Sequence, residues 1–462
     1  MPNLSAFGAT EYMDGALTSA VIQELFLRGS LSGGRGRPPR GRDVIMHDAN
    51  TSEIEDRERR RDCKELEALD LTGCVSAVFV KALTEFVNTH LIANNSPNES
   101  DVEDSDAEGP RVRGRGGRSR NPAEEEALVF PGLQRLGLRG VKSVQPQILN
   151  ALVLSFPNLT HLDLSCTRIT PGLLTALGSS TTIHLKALAL ERCNWLTGES
   201  IASFLIDSQC TKGLRELSLY GDGTFPSPLS EEELGDVFAR APCFASGELT
   251  YLDISSSPVT RQHLLDVIAS QPKLRSLGLS HIRNLSLSVI AEFLRKKAPN
   301  VEILTLVNTS PELGYGNDYV SARQATIALH AQIVRPLCTP PFTFSLTSTA
   351  AKTEAPTRLR VIELAPPLLA GLGMGADAWR IVKSKGGRGW YVDTASGWIA
   401  EPCLEEGCDG GAALKRNLPQ GHPWRNELVR LSDANGNVNS GVGWHSRKME
   451  VCLSLEALDP AT

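Results

Sequence analysis

The stretch Leu159-Thr-His-Leu162-Asp-Leu164-Ser-Cys-Thr167 decides the reading of the whole chain. Leu162 and Leu164 alternate with His161 and Asp163, so a short extended segment here puts its leucines on one face and its polar residues on the other. A few residues on, Pro171-Gly-Leu-Leu-Thr-Ala-Leu-Gly178 carries apolar residues at helical spacing. A strand followed directly by a helix is one supersecondary unit, too small to bury its own apolar face.

The same pattern recurs. An apolar residue, two residues, Leu or Ile, one residue, Leu or Ile, two residues and a small or apolar residue begin at Leu66, Leu133, Leu159, Leu185, Leu214, Leu249, Leu274 and Val301. From Leu133 onward the steps are 26, 26, 29, 35, 25 and 27 residues. The 67-residue step from Leu66 to Leu133 is one repeat plus an insertion of about 40 residues. Helical spacing follows other copies too, in Gln147-Ile-Leu-Asn-Ala-Leu-Val-Leu154, His263-Leu-Leu-Asp-Val-Ile268 and Ser288-Val-Ile-Ala-Glu-Phe-Leu294. Units of this kind gain stability only by stacking into a continuous core.

These units resemble leucine-rich repeats of the ribonuclease-inhibitor-like and cysteine-containing types. Cys74 and Cys193 stand where the cysteine-containing type carries its cysteine, while Val141, Thr167, Asp222, Ser257, Ile282 and Thr309 hold that place in the other copies, so the subtype stays open. The resemblance covers about residues 60–312 and extends more weakly to Ile22-Gln-Glu-Leu-Phe-Leu27 and Leu359-Arg-Val-Ile-Glu-Leu364. It implies an α/β solenoid with a parallel sheet on the concave face and helices on the convex face. The C-terminal part, with His422-Pro-Trp-Arg and Gly441-Val-Gly-Trp-His-Ser-Arg-Lys-Met-Glu450, resembles the end of uncharacterised fungal leucine-rich-repeat proteins, a likeness that implies no activity.

The organisation expected from the sequence is a weak N-terminal repeat in 1–30, a basic insertion in 31–61, a repeat in 62–91 and an acidic then Arg-Gly insertion in 92–127. Repeats fill 128–312, an irregular helical or linker segment 313–356, a last repeat 357–370, and a Trp- and Gly-rich β module 371–462. Both insertions lack the apolar content that offsets chain entropy and are expected to be disordered. Pro2-Asn-Leu4 resembles the repeat entries Pro157-Asn-Leu159 and Pro299-Asn-Val301. Unless that match is chance, the chain is shortened at its N-terminus or opens on an unusual cap.

Five of the six tryptophans (Trp379, Trp390, Trp398, Trp424 and Trp444) lie in the C-terminal module, where strands are expected on either side of Lys385-Gly-Gly-Arg388. The net charge of −6 argues against bulk nucleic-acid affinity. Ten singly scattered cysteines, no secretory leader pattern and no long apolar run lead to an expectation of reduced thiols, no membrane association and a cytoplasmic or nuclear location.

No phosphate-binding loop, serine elbow or His-Glu-x-x-His helix occurs, so no catalytic residue, cofactor or metal site is expected. Cys403, Cys408, His422, His445 and Cys452 lack the paired spacing of structural zinc. The stretch Asp433-Ala-Asn-Gly-Asn437 begins like a calcium loop but has Val438 where Gly is required. The leading expectation is a non-catalytic scaffold that binds a protein partner, a basic one by charge, on its outward strand positions. These are Arg135, Arg139, His161, Asp163, Glu191, Glu216, Tyr220, Tyr251 and Asp253, with Ser165, Ser218 and Ser255 among them. Substrate recognition for a ubiquitin ligase is one version, since cysteine-containing repeats frequently follow an F-box; the 21 residues before Ile22 leave no room for one, so this version requires the shortened chain. An alternative is an RNA- or chromatin-associated protein acting through Arg111, Arg113, Arg115, Arg118 and Arg120. Ranked below both is a GTPase-activating helper that would use a rim arginine such as Arg168 or Arg192.

Overall fold

The structure is a computed structural model and describes residues 4–9, 13–27, 66–92, 128–315, 320–340, 355–373, 375–376, 378–383, 389–393, 398–402 and 412–416. Ten short strands form one parallel array in which each strand pairs with its neighbours in sequence. They are β1 (Ala6–Gly8), β2 (Ala68–Asp70), β3 (Arg135–Gly137), β4 (His161–Asp163) and β5 (Ala187–Ala189). The array continues through β6 (Glu216–Ser218), β7 (Tyr251–Asp253), β8 (Ser276–Gly278), β9 (Ile303–Thr305) and β10 (Val361–Glu363). The register keeps the central repeat leucine in line: Leu136, Leu162, Leu188, Leu217, Leu252, Leu277 and Leu304 pair in succession, and all are buried. Helices alternate with the strands, giving an α/β fold.

The connecting helices start where the sequence signals them. Ser76 accepts a hydrogen bond from the Phe79 amide at the head of Ala77–Val87, and reciprocal capping boxes open Gly198–Asp207 (Thr197 with Ser200) and Glu231–Arg240 (Ser230 with Glu233). Pro146 and Pro171 occupy the first turns of Pro146–Leu154 and Pro171–Ser179, where a missing amide costs nothing. Leu173, Leu174 and Leu177 of the second of these helices turn inward onto the strand leucines.

One expectation is overturned. Ile22-Gln-Glu-Leu-Phe-Leu27 is not a strand entry; Ser19–Phe26 is a helix that buries Ile22 and Leu25 at a spacing of three. The strand of this first unit is β1, after Leu4, and the period of the apolar residues, near 3.6 rather than 2, explains the difference. Asp14 ties this unit to the next by accepting from the amides of Val75 and Ser76 (2.8 and 2.6 Å), and these bonds hold its carboxyl below the usual range despite burial.

Between β9 and β10 the chain forms the helix Ala322–Leu329, a wide helical turn His330–Val334 and a short helix Arg335–Cys338. Beyond β10 the sheet changes sense: β12 (Gly389–Asp393) pairs antiparallel with β10, and β11 (Trp379–Lys383) pairs antiparallel with β12. Tyr391, fully buried on β12, stacks 5.0 Å from Trp379, and its hydroxyl lies 3.1 Å from both the Ala376 amide and His330 Nε2. A separate pair, β13 (Trp398–Pro402) and β14 (Ala412–Arg416), forms a second sheet. Among the described residues no helix is long and apolar enough to cross a membrane.

The backbone contacts between units recur along the array, and side-chain contacts join some of the units. Two residues beyond the last leucine of a unit the backbone turns left-handed, at Gly73, Gly140, Cys166, Arg192, Ser256, His281 and Asn308, with φ between 52° and 77°. The amide at this turn donates to a carbonyl of the next unit: Gly73 to Arg139 (2.7 Å), Gly140 to Ser165 (2.8 Å), Cys166 to Glu191 (2.7 Å), Arg192 to Tyr220 (3.1 Å), Ser256 to Ser280 (2.7 Å) and His281 to Val307 (2.9 Å). One residue later, a side chain donates back to the unit before: Cys193 Sγ to the Leu164 carbonyl (3.1 Å), Cys74 Sγ to Ala9 (3.8 Å) and Thr309 Oγ1 to Leu279.

Thr309→Val keeps the volume but strands the buried Leu279 carbonyl, so it is expected to destabilise the fold by about 1–3 kcal/mol. The urea unfolding midpoint of the full chain should fall accordingly; an unchanged midpoint would show that this contact contributes nothing.

Candidate interaction surface

The face of the sheet away from the helices carries the residues expected to meet a partner. Arg135 is exposed there, and Arg139, His161 and Tyr220 are half-buried. Asp163, Glu191, Glu216, Tyr251 and Asp253 are buried, at 6% exposure or less. The row is therefore a mixture of surface groups and internal supports.

The acidic members are held by the chain itself. Asp163 Oδ1 accepts from the Ser165 amide (2.9 Å), Asp253 Oδ1 from the Ser255 amide (3.0 Å), and Asp70 Oδ1 from the Thr72 amide (2.9 Å). Each aspartate thus bends the chain off the end of its strand, a short side chain serving the backbone two residues on. The Asp253 carboxylate also leans across the next strand: a Cβ at Gly278 would lie 2.3 Å from its Cγ. Gly278 is the small residue that this carboxylate needs beside it.

Glu191 joins three units. Its Oε2 accepts from Arg139 Nη1 (2.7 Å) and its Oε1 from Ser218 Oγ (2.6 Å). Burial alone would favour the neutral form of Arg139, but the carboxylates of Glu191 and Asp163 outweigh it and keep the guanidinium charged well above its ordinary range. Asp163 is also raised, which for a carboxyl favours the neutral form. Burial pushes its carboxyl up to about 7, with Arg139 opposing and Glu191 adding to the rise. His161 is pulled down to about 3 by burial and by the nearby cations Arg135 and Lys186, so its ring is neutral at neutral pH, and Nδ1 lies 2.8 Å from Thr160 Oγ1.

Two sets of candidates fall elsewhere. Arg111, Arg113, Arg115, Arg118 and Arg120 lie outside the described residues, as do the whole insertion 31–61 and all of 92–127 except Ile92. The possible zinc and calcium ligands from Cys403 to Cys452 lie outside them as well. Of the two rim arginines, Arg168 is exposed, whereas Arg192 is folded over the Phe225 ring beside Asp222.

Sequence reasoning missed the left-handed residues Cys166, Arg192, Ser256, His281 and Asn308. The signal was present, because Gly73 and Gly140 occupy the same place in their units. It also missed the internal role of the acids: an Asp at the end of a strand reads equally as a water-facing charge and as a backbone acceptor. No family model matches this chain, and no curated protein matches it either.

A raised carboxyl makes a checkable statement about stability. An aspartate whose folded value lies near 7 and whose ordinary value is 3.8 favours the folded state through its protonated form. That contribution is full below the ordinary value and is lost as pH rises through about 7. Asp163→Asn keeps an acceptor for the Ser165 amide and removes the titration. The melting temperature of the variant relative to the parent should therefore climb between pH 4 and pH 7 and level off above. A difference that stays flat over this range would refute the upward shift of this carboxyl.

Proposed function

We propose that the chain is a leucine-rich-repeat solenoid that works as a non-catalytic protein-interaction scaffold. The carrying observation is the repeated donation from the position after the left-handed turn, where Cys74, Cys193 and Thr309 bond a carbonyl of the preceding unit. Ten parallel strands in sequence order, with helices or helical turns between them, support the same reading of stacked units. Val141 and Ile282 occupy the same position without a donor, and Ser257 Oγ has no partner among the described residues, so the pattern varies between units.

In this reading the partner meets the outward strand face through Arg135, His161 and Tyr220, while Asp163 and Asp253 hold backbone amides and Glu191 and Tyr251 bond neighbouring side chains beneath. Short strands whose first and third residues face away from the core supply a continuous row of side chains on a common face. The acids that favoured a basic partner, Asp163, Glu191, Glu216 and Asp253, are buried, so the accessible part of the face gives no charge argument for one. Recognition of substrates for a ubiquitin ligase is a narrower form of the same proposal, and it requires an adaptor module in addition to these units.

Affinity capture with the full chain tests the proposal. A triple variant Arg135→Ala, His161→Ala, Tyr220→Ala changes the accessible part of the face and leaves the aspartate turns in place. Partners retained by the parent and lost by the folded variant are the expected outcome. An identical set of partners on both would remove this face from consideration.

A further inference from the structure

The longest step among the repeats from Leu133 to Val301, the one from Leu214 to Leu249, holds an extra loop. After β6 the chain runs Gly221-Asp-Gly-Thr-Phe-Pro-Ser-Pro-Leu229 at the rim of the sheet. This loop is built rather than slack. Asp222 Oδ1 accepts from the amides of Thr224 and Phe225 (both 2.8 Å), and the Asp222 amide donates to the Phe225 carbonyl (2.9 Å). Ser256 of the next unit fixes it from the side, its Oγ donating to the Asp222 carbonyl (3.1 Å) and its own carbonyl accepting from Ser227 (3.3 Å). Gly221 permits the close return: a Cβ there would lie 2.6 Å from the Ser227 nitrogen.

Between this loop and the preceding turn lies a cleft of about 300 Å³ whose lining includes Arg192, Asn194, Ile201, Leu219, Thr224 and Phe225. The guanidinium of Arg192 is pre-set in it. Its Cζ sits 4.8 Å from the centre of the Phe225 ring, and Nε stands 3.3 Å from Asp222 Oδ2. The backbone of Arg192 is itself in the left-handed turn that the stack imposes, at φ 54°, so the side chain starts from a fixed base. Asp222 and Phe225 hold the guanidinium in place, and its buried Nε has no hydrogen-bond partner among the described residues. Asn194 and Thr224 add an amide and a hydroxyl. Trp195, beside Asn194 in sequence, leaves half its surface exposed, a feature typical of interface anchors.

We propose that this cleft is a second docking site, one that takes a carboxylate side chain of a partner polypeptide with an apolar neighbour beside it. A guanidinium fork aligned on an aromatic face recognises a planar anion through paired N–H donors. Asp222 offsets the charge of Arg192, the one cation among the described residues of the lining, so recognition rests on the directed N–H donors and the aromatic face, which match a planar carboxylate better than a tetrahedral phosphate. Leu219 and Ile201 in the lining, with Trp195 close in sequence, supply the apolar contact. The site stands on its own geometry and does not depend on what the outward strand face binds.

The test uses the full chain, fluorescently labelled, on arrays of short peptides with randomised flanks and a central Glu, Gln or phosphoserine. Glu-centred peptides are expected to retain roughly tenfold more protein than Gln-centred ones, the factor a charge-assisted pair contributes. Arg192→Gln should erase the preference, while Arg168→Gln, at an exposed arginine outside the cleft, should leave it intact. Asn194→Asp, an exposed change that places a like charge at the mouth, should also erase it and carries the same readout if Arg192→Gln melts early. Equal retention of Glu and Gln peptides, or a preference that survives both cleft variants, would overturn the proposal. Stronger retention of phosphoserine than of Glu would overturn the carboxylate assignment.

Discussion

The stack depends on one backbone hydrogen bond repeated along its length, the amide of the left-handed turn residue donating to a carbonyl of the next unit. Strands of three residues offer few ladder bonds, so a pair of units held by those alone would be weakly joined. The turn extends the ladder past each strand, from Gly73 to Arg139, Gly140 to Ser165, Cys166 to Glu191, and on to His281 and Val307. Gly221 makes the corresponding bond to Ser255 (2.9 Å) at the head of the long loop. The left-handed conformation costs a side-chain-bearing residue about 1–2 kcal/mol. Cys166, Arg192, Ser256, His281 and Asn308 accept that cost, which the recurring inter-unit bonds and the buried leucines behind them offset.

Much else follows from this constraint. A chain that must turn sharply at a fixed distance from the last leucine needs its strand end pinned, and Asp70, Asp163 and Asp253 do so by accepting from the backbone two residues on. The same turn aims the next side chain inward, where Cys74, Cys193 and Thr309 reach a carbonyl of the unit before. It also places Arg192 at the rim, where the loop after β6 closes over it. The parallel order ends only at β12, where Tyr391 and Trp379 fill the last layer and the sheet runs antiparallel.

The positions of the strands were legible because apolar residues at period two admit one placement: Leu162 and Leu188 fall at the centres of β4 and β5. The alternation of strand and helix was legible for the same reason. The first unit was not, since Ile22, Leu25 and Leu27 satisfy a leucine pattern and a helical one equally, and packing against the helix Ala77–Val87 belongs to no local pattern. The outward face was half legible. Its residues are the ones the alternation names, but burial of Asp163, Glu191 and Asp253 arises from neighbours 25 or more residues away, which a single repeat does not contain. The cleft at Arg192 was invisible for a further reason: it combines the turn of one unit with an extra-long loop of the next.

Amide hydrogen exchange on the native chain, resolved to single residues, tests the central claim most directly. If the turn bonds hold the stack, the amides of Gly140, Cys166, Arg192, Ser256 and His281 exchange as slowly as those of the strand-centre leucines beside them. Exchange of these amides at the rate of exposed loops, with the strand leucines still protected, would show that the units are joined by their strands and core alone.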